Sequence, residues 1–321
     1  MTRFNRPGGG QPPLPKPYAF VSIPNARMNP EKPAGHHSYI GNLLTGTIKG
    51  TLVALSPIHV ASGSVELTGR QPSLVKAHFR CGGRPTIPGS SIKGAIRSIV
   101  EAISQPPSCL RVTQARFDNL PSNVRRCTKQ ESLCIACRMF GAMGYLGQVH
   151  FSDAVLQQGD TEIVQIPSLF APRTREQIYF ESGRVKGRKF YMHGQDGQTA
   201  PGNVPIEACP LGSQFSLHVD FENLSDSQLG LFLTALGQGN PKLFPKLGGG
   251  KPVCCGSLEG RDVTVTTVSA SAAAVDFDPK FEAESLESLL GATRSIDRDC
   301  LNQLAKILAY PGERPCPDRN Y

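Results

Sequence analysis

Hydrophobic and polar positions alternate most clearly from Gly46 onward. Thr47, Lys49 and Thr51 interleave with Ile48, Gly50 and Leu52, and the run continues into Val53 and Leu55. A two-residue period predicts a half-buried strand, which Ser56-Pro57 ends. Residues 61–72 are polar, contain glycine, and are expected to form a loop; Leu74–Phe79 reads as a second short strand. The period then changes. Ile92, Ile96, Ile99, Val100 and Ile103 make one apolar stripe at helical spacing, with Ser90 or Ser91 placed to cap the helix start. Further alternation predicts strands at Gln148–Leu156, Phe215–Phe221 and Val263–Val268. Helices are expected at Ser227–Leu236 and within 280–309. Residues 1–45 are Pro/Gly-rich with little periodicity and read as an extended, partly disordered arm. Strands and helices mix irregularly, so the fold class is α+β.

Composition narrows the function. The 321 residues contain 33 Gly, 27 Pro and no Trp. No apolar run approaches the roughly 18 residues of a spanning helix, so no membrane role is expected. The opening MTRFNRPGGGQPPLPKP has no apolar core, and the chain is expected to stay in the cytoplasm. Net charge is +8, unevenly spread: residues 1–260 carry +11 and residues 261–321 carry −3. Residues 70–138 alone hold twelve basic and three acidic side chains. Such a block suits either a phosphate-binding face or a solvated surface.

Ten cysteines in a reducing compartment call for something other than disulfides. Cys109, Cys127, Cys134 and Cys137 crowd into 29 residues. The Cys134-x2-Cys137 pair places two thiolates on one turn, as a tetrahedral zinc site needs, and Cys127 joins them. Cys109 is the leading fourth ligand, with Cys81 and His150 as competitors. Unrelated buried cysteines are the simpler alternative.

Other motifs are weaker than they look. Ser90-x-x-Lys93 matches the serine–lysine pair of penicillin-recognising acylases, but the companion motifs are missing. Gly248-Gly249-Gly250-Lys251 lacks the upstream glycine and the following Ser/Thr of a P-loop, yet it lets backbone approach a ligand closely. Lys93 and Arg97 stand one turn apart near a helix N-terminus, an arrangement that suits a phosphate or two solvated cations. Arg173, Arg175, Arg184, Lys186, Arg188 and Lys189 are interleaved with Phe170, Tyr179, Phe180, Phe190 and Tyr191. Cations that pin phosphates beside aromatic faces that stack bases would hold single-stranded RNA; a soluble edge hairpin is the plainer reading.

Four segments together resemble a known family. Leu55-Ser-Pro-Ile-His-Val-Ala-Ser-Gly63, Ile87-Pro-Gly-Ser-Ser-Ile-Lys-Gly-Ala-Ile-Arg97, Phe140-Gly141 with Val149-His-Phe-Ser-Asp-Ala154, and Leu247-Gly-Gly-Gly-Lys251 resemble the RAMP superfamily. They are most similar to its backbone subunits in type III CRISPR effector complexes, closest to the III-D and III-E branches. The resemblance covers residues 46–268. It implies a ferredoxin-like, RRM-derived palm with a zinc-bearing insertion (about 105–140) and a β-hairpin thumb (about 165–205). An acidic helical extension (269–321) would follow. It also implies an antiviral ribonucleoprotein, with CRISPR RNA, target RNA, other RAMP-type subunits and a large subunit as partners. Ser90, Ser91, Lys93, Arg97, His59, Arg70, Arg173, Arg175, Arg184, Lys186, Arg188, Lys189, Gly249, Gly250 and Lys251 would bind RNA. Cys109, Cys127, Cys134 and Cys137 would hold structural Zn2+.

Slicing members of the family carry an aspartate in the loop after the first strand. Here the segment Ala61–Pro72 has none; its single acid is Glu66, and Arg70 and Gln71 stand where the aspartate would align. Arg and Gln cannot bind a divalent metal or take a hydroxyl proton. The expectation is therefore a binding subunit without a catalytic residue. Glu66 is the fallback for a Mg2+-dependent target-RNA endonuclease. A guide-processing RNase would need His36, His37 or His59 as base.

Overall fold

The alternation that begins at Gly46 becomes an eleven-residue strand, and two more strands of that length flank it. The computed structural model describes residues 17–69, 71–110, 121–169 and 177–317. In chain order these form β1 (Tyr18–Val21), β2 (Leu44–Ala54), β3 (Ala61–Leu67), β4 (Leu74–His78), β5 (Arg80–Cys81), β6 (Arg84–Ile87) and helix α1 (Gly89–Ile103). The short α2 (Ile135–Phe140) leads into β7 (Val149–Phe151), β8 (Ala154–Gln158), β9 (Glu162–Ile166), β10 (Phe180–Glu181), β11 (Arg184–Val185), β12 (Arg188–Tyr191) and β13 (Val204–Ala208). Then follow β14 (Gln214–Leu224), α3 (Asp226–Ala235), β15 (Leu258–Val268), α4 (Ala270–Val275), β16 (Glu282–Ala283), α5 (Leu286–Gly291) and α6 (Arg298–Ile307). The fold is mixed α+β and sheet-rich.

The main sheet runs β16-β15-β2-β14-β8-β6-β5, with β7 also on β14. Its middle is antiparallel: Ile48 of β2 faces Val219 of β14 and Val265 of β15. Those three side chains are buried, because the same face receives α1 and α3, which pack on each other. The α1 stripe Ile92, Ile96, Ile99, Val100 and Ile103 is buried there as its spacing predicts. Phe140, Phe151 and Phe232 add a ring cluster with centroids 5.8–6.4 Å apart. A second sheet, β3-β4-β13-β9, lies off the first.

Several expectations need correction. Residues 61–67 are a strand, not a loop. All seven residues of β3 are exposed, so no apolar period marks it, while its backbone pairs with β4. Neither Ser90 nor Ser91 caps α1: the N-cap is Pro88, and the Gly89 N–H donates to Asp153 Oδ1 at 2.8 Å. A Cβ on Gly89 would lie 2.3 Å from the Phe151 carbonyl oxygen. That close approach seats the helix start on the β7–β8 corner and brings the Asp153 carboxylate to it. The predicted strand Gln148–Leu156 accordingly breaks at Ser152-Asp153 into β7 and β8. By contrast, α3 starts at a local cap, with Ser225 and Gln228 forming a reciprocal capping box.

The ends of the chain are strapped onto this body. β1 pairs with β12, and Glu31 bridges to Leu133, so the described part of the arm is anchored to the body, with Val21 buried in the core. The acidic C-terminal extension holds three short helices, α4, α5 and α6. α5 packs on α3, α6 packs on α1 and β1 with Cys300, Leu301, Leu304 and Ile307 buried, and β16 extends the sheet beyond β15.

Candidate nucleic-acid interface and cysteine centre

Helix α1 has two flanks that differ in chemistry. On one, a cavity of about 460 Å³ lies between Ser91, Gly94 and Ser98 of α1, Lys189 and Tyr191 of β12, and the loop Lys246–Lys251. Gly248 has φ +80°, and a Cβ there would come 2.4 Å from the His59 carbonyl oxygen. Only glycine fits such a turn without displacing backbone. The Gly249 N–H donates to the same oxygen at 2.8 Å, while Gly250 holds φ +68°. Lys251 Nζ donates to the Gly248 carbonyl, 3.0 Å away, and burial lowers its pKa. Lys246, deep behind the loop, is pushed down to about 7 by burial. The groove thus gathers lysine ammoniums, hydroxyls and bare backbone, a donor set matched to phosphates.

His59 supports this loop from behind. It is buried, its Nδ1 lies 2.6 Å from the Glu207 carbonyl, and its ring edge meets Gly249. Burial lowers its pKa. Lys189 sits among three tyrosine rings, 4.4 Å from Tyr18, 4.7 Å from Tyr191 and 5.4 Å from Tyr179. Tyr18 and Tyr179 stack on each other at 7°. The aromatic residues singled out in this stretch therefore pack partly around their own cation and the arm, and the contribution of Tyr18 has no signature in the sequence.

On the other flank the cations turn inward. Arg97, spaced as if for solvent, is buried; it pairs with Glu101 at 2.7 Å and donates to the Gly141 carbonyl at 2.8 Å and Cys137 Sγ at 3.3 Å. Arg188 bonds the other Glu101 oxygen at 3.1 Å and the Ser108 and Cys109 carbonyls at 2.9 and 3.1 Å. Lys93 is half-buried and donates to the Val149 carbonyl at 3.3 Å. These three candidates do not join the groove.

Their neighbour is a buried quartet. The sulfurs of Cys109, Cys127, Cys134 and Cys137 all lie within 4.8 Å of one another. Cys81 is exposed on β5, and His150 faces Glu222, so neither competes for the fourth place. Backbone N–H groups point at the sulfurs: Cys109 N to Cys134 Sγ at 3.5 Å and Cys134 N to Cys127 Sγ at 3.3 Å. Hydrogen bonds from Cys109 and then from Cys127 and Cys137 hold the Cys134 thiol far below its ordinary pKa. Four converging sulfurs, N–H donors and a guanidinium form a set that could hold a metal such as zinc.

The remaining candidates are scattered. Arg184 and Lys186 are exposed on and beside the small β10–β11 hairpin; Lys186 Nζ lies 5.9 Å from the Phe20 ring, which packs on the Tyr18 and Tyr179 rings beside Lys189. Arg70, Arg173 and Arg175, with Phe170, lie outside the described residues. Glu66 is exposed on β3, opposite Val75. Contrary to the expectation for a reducing compartment, Cys254 and Cys316 form a disulfide, with Cα atoms 5.9 Å apart; it ties the C-terminal tail to the end of the glycine loop. Cys209, Cys255 and Cys300 are buried and free. Among the described residues, no helix is long and apolar enough to cross a membrane.

The RAMP superfamily model matches residues 51–259, from within β2 into β15, and so encloses the groove and all four clustered cysteines. The chain belongs to the RAMP superfamily. This RAMP chain is also similar to a solved Csm3-Csm4 subcomplex of the type III-A CRISPR-Cas interference complex. The identity is 18%, coverage is 78% of this chain and 96% of that one, and the TM-score is 0.39. No curated protein matches it.

Proposed function

We propose that this RAMP protein is a backbone subunit of a type III CRISPR ribonucleoprotein, of the III-D/III-E kind. It grips the guide RNA and helps hold complementary target RNA in cytoplasmic antiviral defence without cutting it. The observation that carries this reading is the groove beside α1, where Ser91, Lys189, Lys251 and the glycine turn converge. The chain order strand–helix–strand–strand–helix–strand, with spatial order β15-β2-β14-β8, supports a ferredoxin-like palm.

Guide phosphates take hydrogen bonds from Ser90, Ser91 and the loop N–H groups, while Lys189 and Lys251 supply charge. Gly249 and Gly250 let the RNA backbone pass close. His59 positions that loop, and Arg97 and Arg188 act one layer back. The segment 165–205, carrying Arg184 and Lys186, serves as a thumb against the guide–target duplex. Zinc held by Cys109, Cys127, Cys134 and Cys137 supplies a rigid crosslink to an insertion too small to build its own core. A cleaving role would need a carboxylate cluster around Glu66, whereas the charge that Glu66 meets from exposed strand β3 is the Arg80 guanidinium.

Purification of the tagged protein from its host, with sequencing of bound RNA, tests the proposal. Short uniform RNAs sharing a repeat-derived tag, recovered with other RAMP subunits, are expected. A random sample of cellular transcripts would overturn it. Target cleavage lost on Glu66→Ala in the assembled complex would instead establish the Mg2+-dependent endonuclease.

A further inference from the structure

A lysine ordinarily lays its apolar stem on the protein and keeps its ammonium in water. Lys246 departs from this: the whole residue is 8% exposed, and no carboxylate pairs with it among the described residues. Its Nζ lies 3.5 Å from the Ser257 hydroxyl oxygen, a long contact. That hydroxyl is committed elsewhere. Burial keeps His193 neutral, with its pKa down to about 3. The His193 Nε2 is 2.9 Å from the Phe244 carbonyl, which can only accept, so Nε2 carries the proton. Nδ1, 2.7 Å from Ser257 Oγ, then accepts from the hydroxyl, and Lys246 is left with one neutral lone pair. A single neutral oxygen is a poor counterpart for a buried cation.

The surroundings make a charge there harder still to hold. Burial brings the Lys246 pKa down to about 7, and the Lys251 ammonium across the glycine turn pushes the same way. Cys255 also faces the amine, but burial pushes that thiol up to about 11, so it supplies no negative charge near neutrality. Behind His193 the neighbour is the Tyr310 ring, 5.7 Å away. Lys246 is also part of the wall of the groove of about 460 Å³, where α1 contributes the hydroxyls of Ser91 and Ser98 and β12 contributes Lys189 and Tyr191. Among the described residues, that wall holds three lysines and no carboxylate. It is a cationic site without an anion of its own.

We propose that Lys246 makes RNA binding proton-coupled: its amine stands neutral in the empty groove and becomes an ammonium when a phosphodiester enters. The inference rests on the groove being the RNA site and adds to that reading a residue and a proton. One proton from solvent adds to the amine lone pair, and no bond in the RNA changes. An anion in the groove favours the charged form that burial disfavours. The empty groove thus avoids a further buried like charge and gains it only against a polyanion.

The direction in pH follows. The free amine is charged below about pH 7 and neutral above, whereas the bound one stays charged to higher pH. Proton uptake should be small at about pH 6 and approach one at about pH 8.5, and affinity should fall by up to about tenfold per pH unit between them. Calorimetric titration of full-length protein with a single-stranded oligoadenylate, in buffers of different ionisation enthalpy, counts the proton. The bases and phosphodiesters of that RNA do not titrate in this range.

Lys246→Met keeps the stem and removes the amine, so it should bind without uptake and with a flat pH profile. Lys246→Arg, whose guanidinium keeps its proton throughout, should also lose the uptake while binding more tightly than Lys246→Met. Lys251→Gln should weaken binding at every pH yet retain the uptake. Wild-type binding without uptake, or equal uptake in wild type and both Lys246 variants, would overturn this inference and leave the groove as the RNA site. Oligoadenylate that fails to bind at any pH would overturn the RNA reading and this inference with it.

Discussion

The two flanks of α1 carry cations of the same sequence character and put them to opposite uses. On the cysteine flank, Arg97 and Arg188 share the Glu101 carboxylate and cap carbonyls, with almost no surface left. On the groove flank, Lys189 and Lys251 line an open cavity and are held by rings and a single carbonyl. Arginine's rigid fork suits the first task because it satisfies several buried acceptors at once; lysine's point charge suits the second. A basic stretch is thus not one surface. Charge that braces an insertion and charge left lining an open cavity differ only in what surrounds them.

The comparison breaks most violently at the metal. If the quartet holds zinc, its binding free energy is folding free energy for the insertion, of order 10 kcal/mol in small zinc domains. Cys134→Ser, or exposure to a strong chelator, should strip the metal and open residues 105–147 to hydrogen exchange. The β2, β14 and β15 amides should stay protected. Elemental analysis should find one zinc per wild-type chain.

Arg97→Ala comes next. It leaves Glu101 half-paired and the Gly141 carbonyl without its donor, a loss of about 3–5 kcal/mol for a broken buried pair. Thermal unfolding should register it, whereas Lys251→Ala should leave the melting temperature nearly unchanged. If both variants melt alike, the division of labour between the flanks is wrong.

A third effect distinguishes the flanks by pH. The groove side rests on buried neutral histidines: burial pushes His78 down to about 4 and His193 to about 3. Both take up protons more readily unfolded, where the pKa is about 6.5. Stability should therefore be full above pH 6.5 and fall as pH drops toward 4, by about 3 kcal/mol for His78 alone. Lys246 adds a slope at higher pH: with its pKa lowered to about 7, stability should keep rising from there to pH 10. Arginines do not titrate in this range, so His193→Gln should flatten the acid limb and Arg97→Ala should not.

How much of this was legible depended on whether a residue's fate was local. The β2 alternation and the α1 stripe could be read because one face of each is buried. β3 escaped notice because neither face is. Cys134 and Cys137 declared themselves by spacing, but only the fold eliminates Cys81 and His150 in favour of Cys109. Helical spacing correctly set Arg97 off the stripe, yet Cys137 and Gly141, forty and more residues away, turn it inward. Asp153 caps a helix 64 residues before it, and no local pattern announces such a partner. The groove was visible as separate motifs, and Tyr18 and Lys246 enter it through contacts that no motif contains.

The smallest predicted effect sharpens the groove itself. Lys189→Gln and Lys251→Gln each remove one charge facing the cavity while sparing the core. Each should weaken guide-RNA binding uniformly across sequences and flatten the plot of log affinity against log salt by about 0.7 for a single strand. The two losses should add if each lysine meets its own phosphate. Lys93→Gln is the control, because its ammonium is directed to the Val149 carbonyl on the other flank. An unchanged slope for Lys251→Gln with a reduced one for Lys93→Gln would move the RNA path across α1, to the side of the cysteines.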